Sequence, residues 1–179
     1  VEANSIPTPV DAMDIWVMSR LHSVTKDVTT FMDEYNVVKA SRALMDFVDE
    51  LSTWYLRRSR DRLRDNDTLA LSVFAHVLIT LAQLFAPFAP FFSEVMWHNL
   101  VDEDSSVHLT DWPVANNQLI QLDLEQAMQK AREIAQVAHA KHSEYKIPVR
   151  QPLQLMKVTT VPFSTNLIEK ILQDEVNVK

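Results

Sequence analysis

The stretch KASRALMDFVDELSTWYLRRSRDRL, residues 39–63, decides the fold class. Its apolar residues recur at spacings of three and four, which places them on one stripe of a helix. The members of that stripe are Ala40, Leu44, Val48, Leu51 and Tyr55. The pattern predicts a long amphipathic helix over residues 37–64, with an apolar face that needs other helices to cover it.

Helical periodicity continues on both sides of this stretch. Asp11 is a candidate N-cap for the helix that precedes it, since a short acidic side chain can accept the first free backbone N–H groups. The helix that follows is apolar almost all round, which is typical of the centre of a bundle. The further predicted helices cover residues 11–35, 68–85, 91–100 and 124–143.

The pattern changes in the last third of the chain. Residues 101–122 show no usable period and are predicted to be a long connection. The segment LQLMKVTT, residues 153–160, alternates and is rich in strand formers, and a short helix is expected over 163–173. We therefore expect a mainly α fold, with a helical bundle over 1–122 and a C-terminal helix with a small α/β subdomain over 123–179.

Composition excludes several classes of chemistry. The chain has no glycine, which excludes glycine-rich phosphate loops, dinucleotide fingerprints and nucleophile elbows. It has no cysteine, which excludes disulfides and thiolate catalysis and fits a cytoplasmic location. No apolar run suggests a membrane span, so no membrane contact is expected.

Positive charge is concentrated in one place, although the net charge is −7. On a helical wheel Arg57, Arg60 and Arg64 share one face opposite the apolar stripe, while Arg58 and Arg62 lie nearer the core. Two interpretations stay open at this point. The arginines can simply solvate a helix face among neighbouring acids, or they can bind phosphate oxygens through their planar guanidinium groups.

Other candidate residues point less clearly to a site. Trp54, beside the arginines, could stack on a nucleobase or lie in the core. His139 and His142 are three residues apart on a predicted helix, but no third ligand at a suitable spacing accompanies them, so no metal site is predicted. No Ser/His/Asp set and no carboxylate pair can be assigned from spacing, so no catalytic residue is predicted either.

The order of several segments closely resembles the anticodon-binding region of isoleucyl-tRNA synthetases, which are class I enzymes. The resemblance covers the chain from about Met13 to Lys179. The segments that carry it are IWVMSRL (15–21), the stretch 39–63, LAQLFAPFAPFFSEVMWHNL (81–100), SVHLTDWP (106–113) and KIPVRQPL (146–153). The third of these is shared with the valine and leucine enzymes, whereas SVHLTDWP is closer to the isoleucine enzyme.

The resemblance implies a helical bundle that binds the anticodon stem and loop of isoleucine tRNA beside a catalytic core in the same polypeptide. It implies ATP and magnesium as cofactors of the full-length ligase, and neither cofactor nor catalysis in this fragment. Lys146 and Arg150 resemble the family's junction segment, and could touch the RNA backbone or support the fold. The implied tRNA contacts are Trp54, Arg57, Arg58 and Arg60, then Arg20 and Arg64.

Two other functions remain open from the sequence. One is a helical protein-interaction module, whose arginines pair with acids of a partner or of the chain itself. The other is the equivalent domain of a valyl- or leucyl-tRNA synthetase.

Overall fold

A computed structural model describes residues 7–148, 151–158 and 166–178. The chain divides into two compact units, Val1–Gln121 and Leu122–Lys179. The described residues are mainly helical, as the sequence predicts. The helices are α1 (Ala12–Asp33), α2 (Val37–Glu50), α3 (Arg57–Arg64), α4 (Thr68–Phe85), α5 (Pro90–Leu100), α6 (Leu122–Glu144) and α7 (Asn166–Val176).

Helix α1 is buried almost all round in the first unit. Asp11 is its N-cap, as predicted, and accepts a 2.8 Å hydrogen bond from the backbone N–H of Met13. Between residues 13 and 28 it buries polar side chains beside the apolar ones, including Ser19 and His22. The sequence did not indicate this enclosure, because buried small polar residues look like exposed ones in a periodicity pattern.

The predicted helix over 37–64 is continuous but changes its geometry in the middle. Leu51–Leu56 forms a π-helical segment between α2 and α3. In its first turn, the hydroxyls of Ser52 and Thr53 both donate to the carbonyl of Asp49, which lies just before the segment, at 3.2 and 2.7 Å. Such back-bonding competes with the regular backbone ladder and bends helices. A π-helical turn contains about one residue more than an α-helical turn, so α3 is rotated relative to α2.

Helix α4 contacts α1, α3 and α5, and eight of its residues are buried. Within the described residues, α4 is the one helix long and apolar enough to cross a membrane by length and composition. Such a helix is also the usual core helix of a bundle. Its N-cap is Asp67, which accepts from the backbone N–H groups of Leu69 and Ala70 at 3.0 and 3.2 Å.

The connection from α5 to the end of the first unit follows α1 in the opposite direction. Three hydrogen bonds attach it. Trp112 Nε1 donates to Thr29 Oγ1 at 2.9 Å, the backbone N–H of Asn116 donates to His22 Nδ1 at 3.3 Å, and that of Gln121 donates to Ser19 Oγ at 2.7 Å. The predicted long connection is therefore ordered by contacts with α1.

The second unit contains α6 and α7, which contact each other. The predicted α/β subdomain is not supported. Residues 153–158, the described part of the predicted strand, form no strand, and Leu153 makes a single parallel bridge to Val178. One backbone hydrogen bond, from Leu153 N–H to the Asn177 carbonyl at 3.0 Å, accompanies it. An alternating pattern needs a paired neighbour along its length to become a strand. Residues 159–165 lie outside the described residues.

Among the described residues of this glycine-free chain, four have left-handed backbone angles: Tyr35, Asn66, Lys146 and Asn177. Each follows a helix, at the position where glycine is most common. After α1, the N–H of Tyr35 bonds the carbonyl of Met32 and that of Asn36 bonds the carbonyl of Phe31, at 3.0 and 2.7 Å. This is the Schellman pattern of helix termination. Asparagine tolerates this conformation well, whereas tyrosine and lysine adopt it at a steric cost.

Candidate nucleic-acid interface

Helix α3 presents Arg57, Arg60 and Arg64 to solvent, and we call these three residues the arginine face. Arg64 is 68% exposed and pairs with Asp61 and Asp65 at 3.1 and 3.4 Å, two acids that are themselves exposed. Arg57 takes part in a further interaction within the protein. No described residue forms a hydrogen bond or ion pair with Arg60. The predicted exposure of these three arginines is therefore confirmed.

The π-helical segment determines which residues of α3 face the core. At 100° per residue on an uninterrupted α-helix, Arg58 would lie about 20° from Phe47, within the buried stripe, and Ser59 about 120° away. The structure shows Ser59 buried and Arg58 only half-buried. The extra residue of the π-helical segment accounts for this rotation, and it turns Arg58 away from the centre of the core.

Trp54 lies in the core, which is one of the two alternatives the sequence left open. Its side chain is 4% exposed, and the guanidinium of Arg58 covers the ring at 5.4 Å from the centroid. This is a cation–π contact. No described residue accepts a hydrogen bond from the Trp54 Nε1. In this conformation the indole has no open face on which a nucleobase can stack.

Arg62 is the centre of an ion-pair network that the sequence did not predict. It binds the carboxylate of Asp14 through two hydrogen bonds, at 3.1 and 2.7 Å. It also contacts Asp11 at 3.1 Å and Asp67 at 3.0 Å, which are the N-caps of α1 and α4. Asp14 is fully buried and accepts a further 2.9 Å hydrogen bond from the Tyr55 hydroxyl. The network joins three helices at one end of the first unit.

Three groups of the network, Arg62, Tyr55 and Asp67, have shifted pKa values. Hydrogen bonding to Asp14 raises the pKa of Arg62 above its usual value, so the guanidinium stays charged. Burial, and then the charge of Asp14, raise the pKa of Tyr55, which keeps its hydroxyl protonated as a donor. The backbone N–H of Ala70, and then the Arg62 side chain, lower the pKa of Asp67. The one sequence signal for this network was an acid, Asp14, three residues after the N-cap on the buried side of α1.

Arg20, another predicted contact, connects α1 to α2. Its Nε donates to the Glu50 carboxylate at 2.9 Å, and both side chains are mostly buried. Lys146 is exposed in the second unit, directly after α6, with a positive φ of 52°. Arg150 lies outside the described residues. The structure therefore groups Arg57, Arg58, Arg60 and Arg64 on α3, and gives Arg20 a pairing role between helices.

The histidines and acids offer no metal centre within the described ranges. No group of three or more His, Cys, Asp or Glu residues there has the arrangement of a cation site. His139 Nε2 lies 3.1 Å from the Glu175 carboxylate, and His142 is buried without a hydrogen-bond partner among the described residues. In the first unit, Glu94 accepts from the backbone N–H of Val107 at 3.1 Å and lies near two histidines.

Comparison with known proteins gives one consistent result. Residues 14–157 match the family model described as the anticodon-binding domain of tRNA ligase. The chain is 38% identical to isoleucine–tRNA ligase of Clostridium tetani over 94% of its length, 38% identical to isoleucine–tRNA ligase 2 of Bacillus cereus over 93%, and 36% identical to isoleucine–tRNA ligase of Streptomyces coelicolor over 92%. It spans only 16–17% of the length of these relatives.

The matched region runs from the third residue of α1 to beyond α6, and it includes the arginine face and the pairing of Arg62 with Asp14 and Asp67. The resemblance seen in the sequence is confirmed at the level of the domain. The chain belongs to the family of anticodon-binding domains of tRNA ligases.

Proposed function

We propose that this chain is the anticodon-binding domain of an isoleucine–tRNA ligase and that it binds the anticodon stem and loop of isoleucine tRNA. The relatives named isoleucine–tRNA ligase over nearly the whole chain support the choice of amino acid. The observation that carries the RNA contact is the arginine face, which concentrates exposed positive charge on one short helix of an acidic chain.

The full-length protein would attach isoleucine to its tRNA with ATP and magnesium, in a catalytic core elsewhere in the same polypeptide. This domain contributes binding and orientation and no catalytic group. We place the protein in the cytoplasm, where its substrates are.

The chemistry of the contact follows from the side chains on α3. Arg57 and Arg60 bind phosphate oxygens through their guanidinium forks, which supplies affinity that falls with salt because each contact releases counterions. Arg58 lies at the edge of the same face, and Arg64 can exchange its exposed acidic partners for phosphate at small cost. Arg20 is a weaker candidate, since its pairing with Glu50 would have to break. Unpaired anticodon bases are read by hydrogen bonds and stacking.

The test is direct binding of isoleucine tRNA to the chain, measured against an RNA of equal length and unrelated fold. Preference for the tRNA supports the proposal, and equal binding of both RNAs contradicts it. Competition with valine and leucine tRNAs then decides the amino acid, because those two ligases have related domains. Displacement by valine tRNA at lower concentration than isoleucine tRNA would reassign the chain.

A protein-interaction module is the second candidate. The observation in its favour is that Arg20, Arg62 and Arg64 already pair with acids of the chain, as the arginines of such a module would. It predicts no preference for tRNA in the same experiment.

A further inference from the structure

Three acids from the N-terminal ends of α1 and α4 converge on Arg62. Asp11 and Asp67 cap different helices, and Asp14 lies fully buried in α1. All three lie within 3.1 Å of the guanidinium, and Asp14 binds it through two parallel hydrogen bonds. A guanidinium can satisfy this arrangement because its five donors lie in one rigid plane.

This arrangement fixes the rotation of α3 about its axis. Each residue of an α-helix turns the chain by about 100°, so a shift of one residue would move Arg62 away from Asp14. The buried carboxylate would then lose its charged partner, which is strongly unfavourable in the interior. Only one rotation of α3 therefore satisfies Asp14.

The same rotation determines where the arginine face points. On α3, which is regular from residue 57 to 64, Arg57 lies about 140° and Arg60 about 160° around the axis from Arg62. Arg62, which pairs with Asp14, therefore lies on the opposite side of α3 from the exposed Arg57 and Arg60. The π-helical segment supplies the extra residue that lets α3 adopt this rotation while α2 keeps its own stripe buried.

We propose that Arg62 is a positioning residue for RNA binding, whose pairing with Asp14 holds α3 in the rotation that presents Arg57 and Arg60 to phosphates. This inference rests on the proposed function. Arg62 itself does not touch RNA. Its effect is that the arginine face is ordered before binding, so that less conformational freedom is lost when RNA binds.

The proposal requires the guanidinium and not only its charge. Arg62→Lys keeps the positive charge but replaces a planar fork by a single ammonium that cannot hold three carboxylates in the same way. The matched control is Arg42→Lys, the same substitution on the exposed side of α2. Both chains are to be studied well below their unfolding temperatures, so that a change in the folded fraction does not affect binding.

Two measurements test the proposal. The first is amide hydrogen exchange of residues 57–64, which reports the order of α3 without RNA. The second is the affinity for isoleucine tRNA at several salt concentrations. We expect Arg62→Lys to accelerate exchange in α3 and to weaken binding about fivefold, with an unchanged salt slope because the phosphate contacts remain the same. Arg42→Lys should change neither quantity.

Several outcomes would overturn this role. If Arg62→Lys binds tRNA as tightly as the unmodified chain, or leaves exchange in α3 unchanged, Arg62 does not position the arginine face. A salt slope reduced by about one unit would make Arg62 a direct phosphate contact instead. An unmodified chain without tRNA preference would remove the proposed function and this role together, whereas the other outcomes leave the proposed function intact.

A second variant covers the case in which Arg62→Lys does not fold. Tyr55→Phe keeps Arg62 and removes one hydrogen bond from Asp14. It therefore weakens the network around Asp14 less than Arg62→Lys does. It should change exchange and affinity in the same direction by a smaller factor, again with an unchanged salt slope. If neither hydrogen exchange in α3 nor the affinity for tRNA changes, the pairing of Arg62 with Asp14 does not position the arginine face.

Discussion

The hydroxyl of Tyr55 donates a 2.9 Å hydrogen bond to the carboxylate of Asp14, which lies 41 residues earlier in the chain and has no exposed surface. The same carboxylate binds Arg62. A buried charge is tolerated only when it is paired and hydrogen-bonded. This small group therefore affects both the stability of the first unit and the orientation of α3.

Loss of the Asp14 carboxylate should lower the free energy of unfolding more than loss of the Tyr55 hydroxyl. Asp14→Asn removes the carboxylate that binds Arg62 and Tyr55 through charged hydrogen bonds, and should lower the free energy of unfolding by about 3 kcal/mol. Tyr55→Phe removes one hydrogen bond and should cost about 1 kcal/mol. Urea unfolding of both variants measures this, with Tyr145→Phe as an exposed control that should change little. Equal losses for the Asp14 and Tyr55 variants would contradict the dominance of the ion pair.

Removing two arginines from the arginine face should weaken RNA binding in a way that depends on salt. Arg57→Ala combined with Arg60→Ala removes up to two phosphate contacts, so the slope of log affinity against log salt should flatten by about two units at most. The measurement is tRNA affinity between low and moderate salt. The matched control, Lys39→Ala with Arg42→Ala, removes the same charge from exposed positions of α2. Unchanged affinity and slope in the first variant would refute the contact assignment.

Stability should fall as the solution is acidified below about pH 6.5, because His22 is held neutral. Burial, and then the nearby His76, lower the pKa of His22 below its usual 6.5, and burial lowers the pKa of His76. The unfolded chain therefore binds protons first, and stability present above pH 6.5 is lost as the pH falls through the folded pKa values. Each histidine adds a slope of at most about 1.4 kcal/mol per pH unit.

The variant that tests this is His22→Asn, since its amide oxygen can still accept from the backbone N–H of Asn116 but cannot titrate. Its unfolding free energy should depend less on pH between 6.5 and 5. If the unfolding free energy of His22→Asn depends on pH as strongly as that of the unmodified chain, His22 does not cause the loss of stability in acid.

The left-handed backbone conformation of Tyr35, after α1, should cost stability that a substitution can recover. Tyr35→Asn keeps the Schellman ending and should raise the free energy of unfolding by about 0.5–1 kcal/mol, because asparagine adopts this conformation more easily. The opposite change, Asn66→Ala after α3, should lower it by about 1 kcal/mol. Thermal unfolding measures both. A destabilised Tyr35→Asn would show that the exposed tyrosine ring contributes more than its backbone strain costs.

Local signals were sufficient to predict most of the helices. Caps such as Asp11 are encoded within a few residues, and the helical stretches 12–33, 37–64, 68–85 and 90–100 begin and end close to the predicted positions. That Arg57, Arg60 and Arg64 share one face was also predictable, because it depends only on spacing within one helix. The predicted strand over 153–160 failed in its described part because a strand also depends on a partner that local alternation cannot reveal.

The contacts around the arginine face could not be predicted from the sequence and are known only from the structure. The pairing of Arg62 with Asp14 joins residues 48 positions apart, and although the helical wheel places Arg62 nearer the core, no local pattern reveals its partner. The π-helical segment was equally hidden, since its sequence LSTWYL reads as ordinary helix. Trp54 could be placed in either environment by the wheel, and only its observed burial selects the core.

The hydrogen bonds that attach the connection to α1 have a consequence for biosynthesis. They join residues separated by 83, 94 and 102 positions, so α1 leaves the ribosome well before the segment that it binds. Closing such long loops costs entropy before any contact compensates for it. The polar side of α1 must remain hydrated or be shielded by other proteins until residues 112–121 have emerged. A nascent chain arrested before Trp112 should therefore expose α1 and be sensitive to proteases.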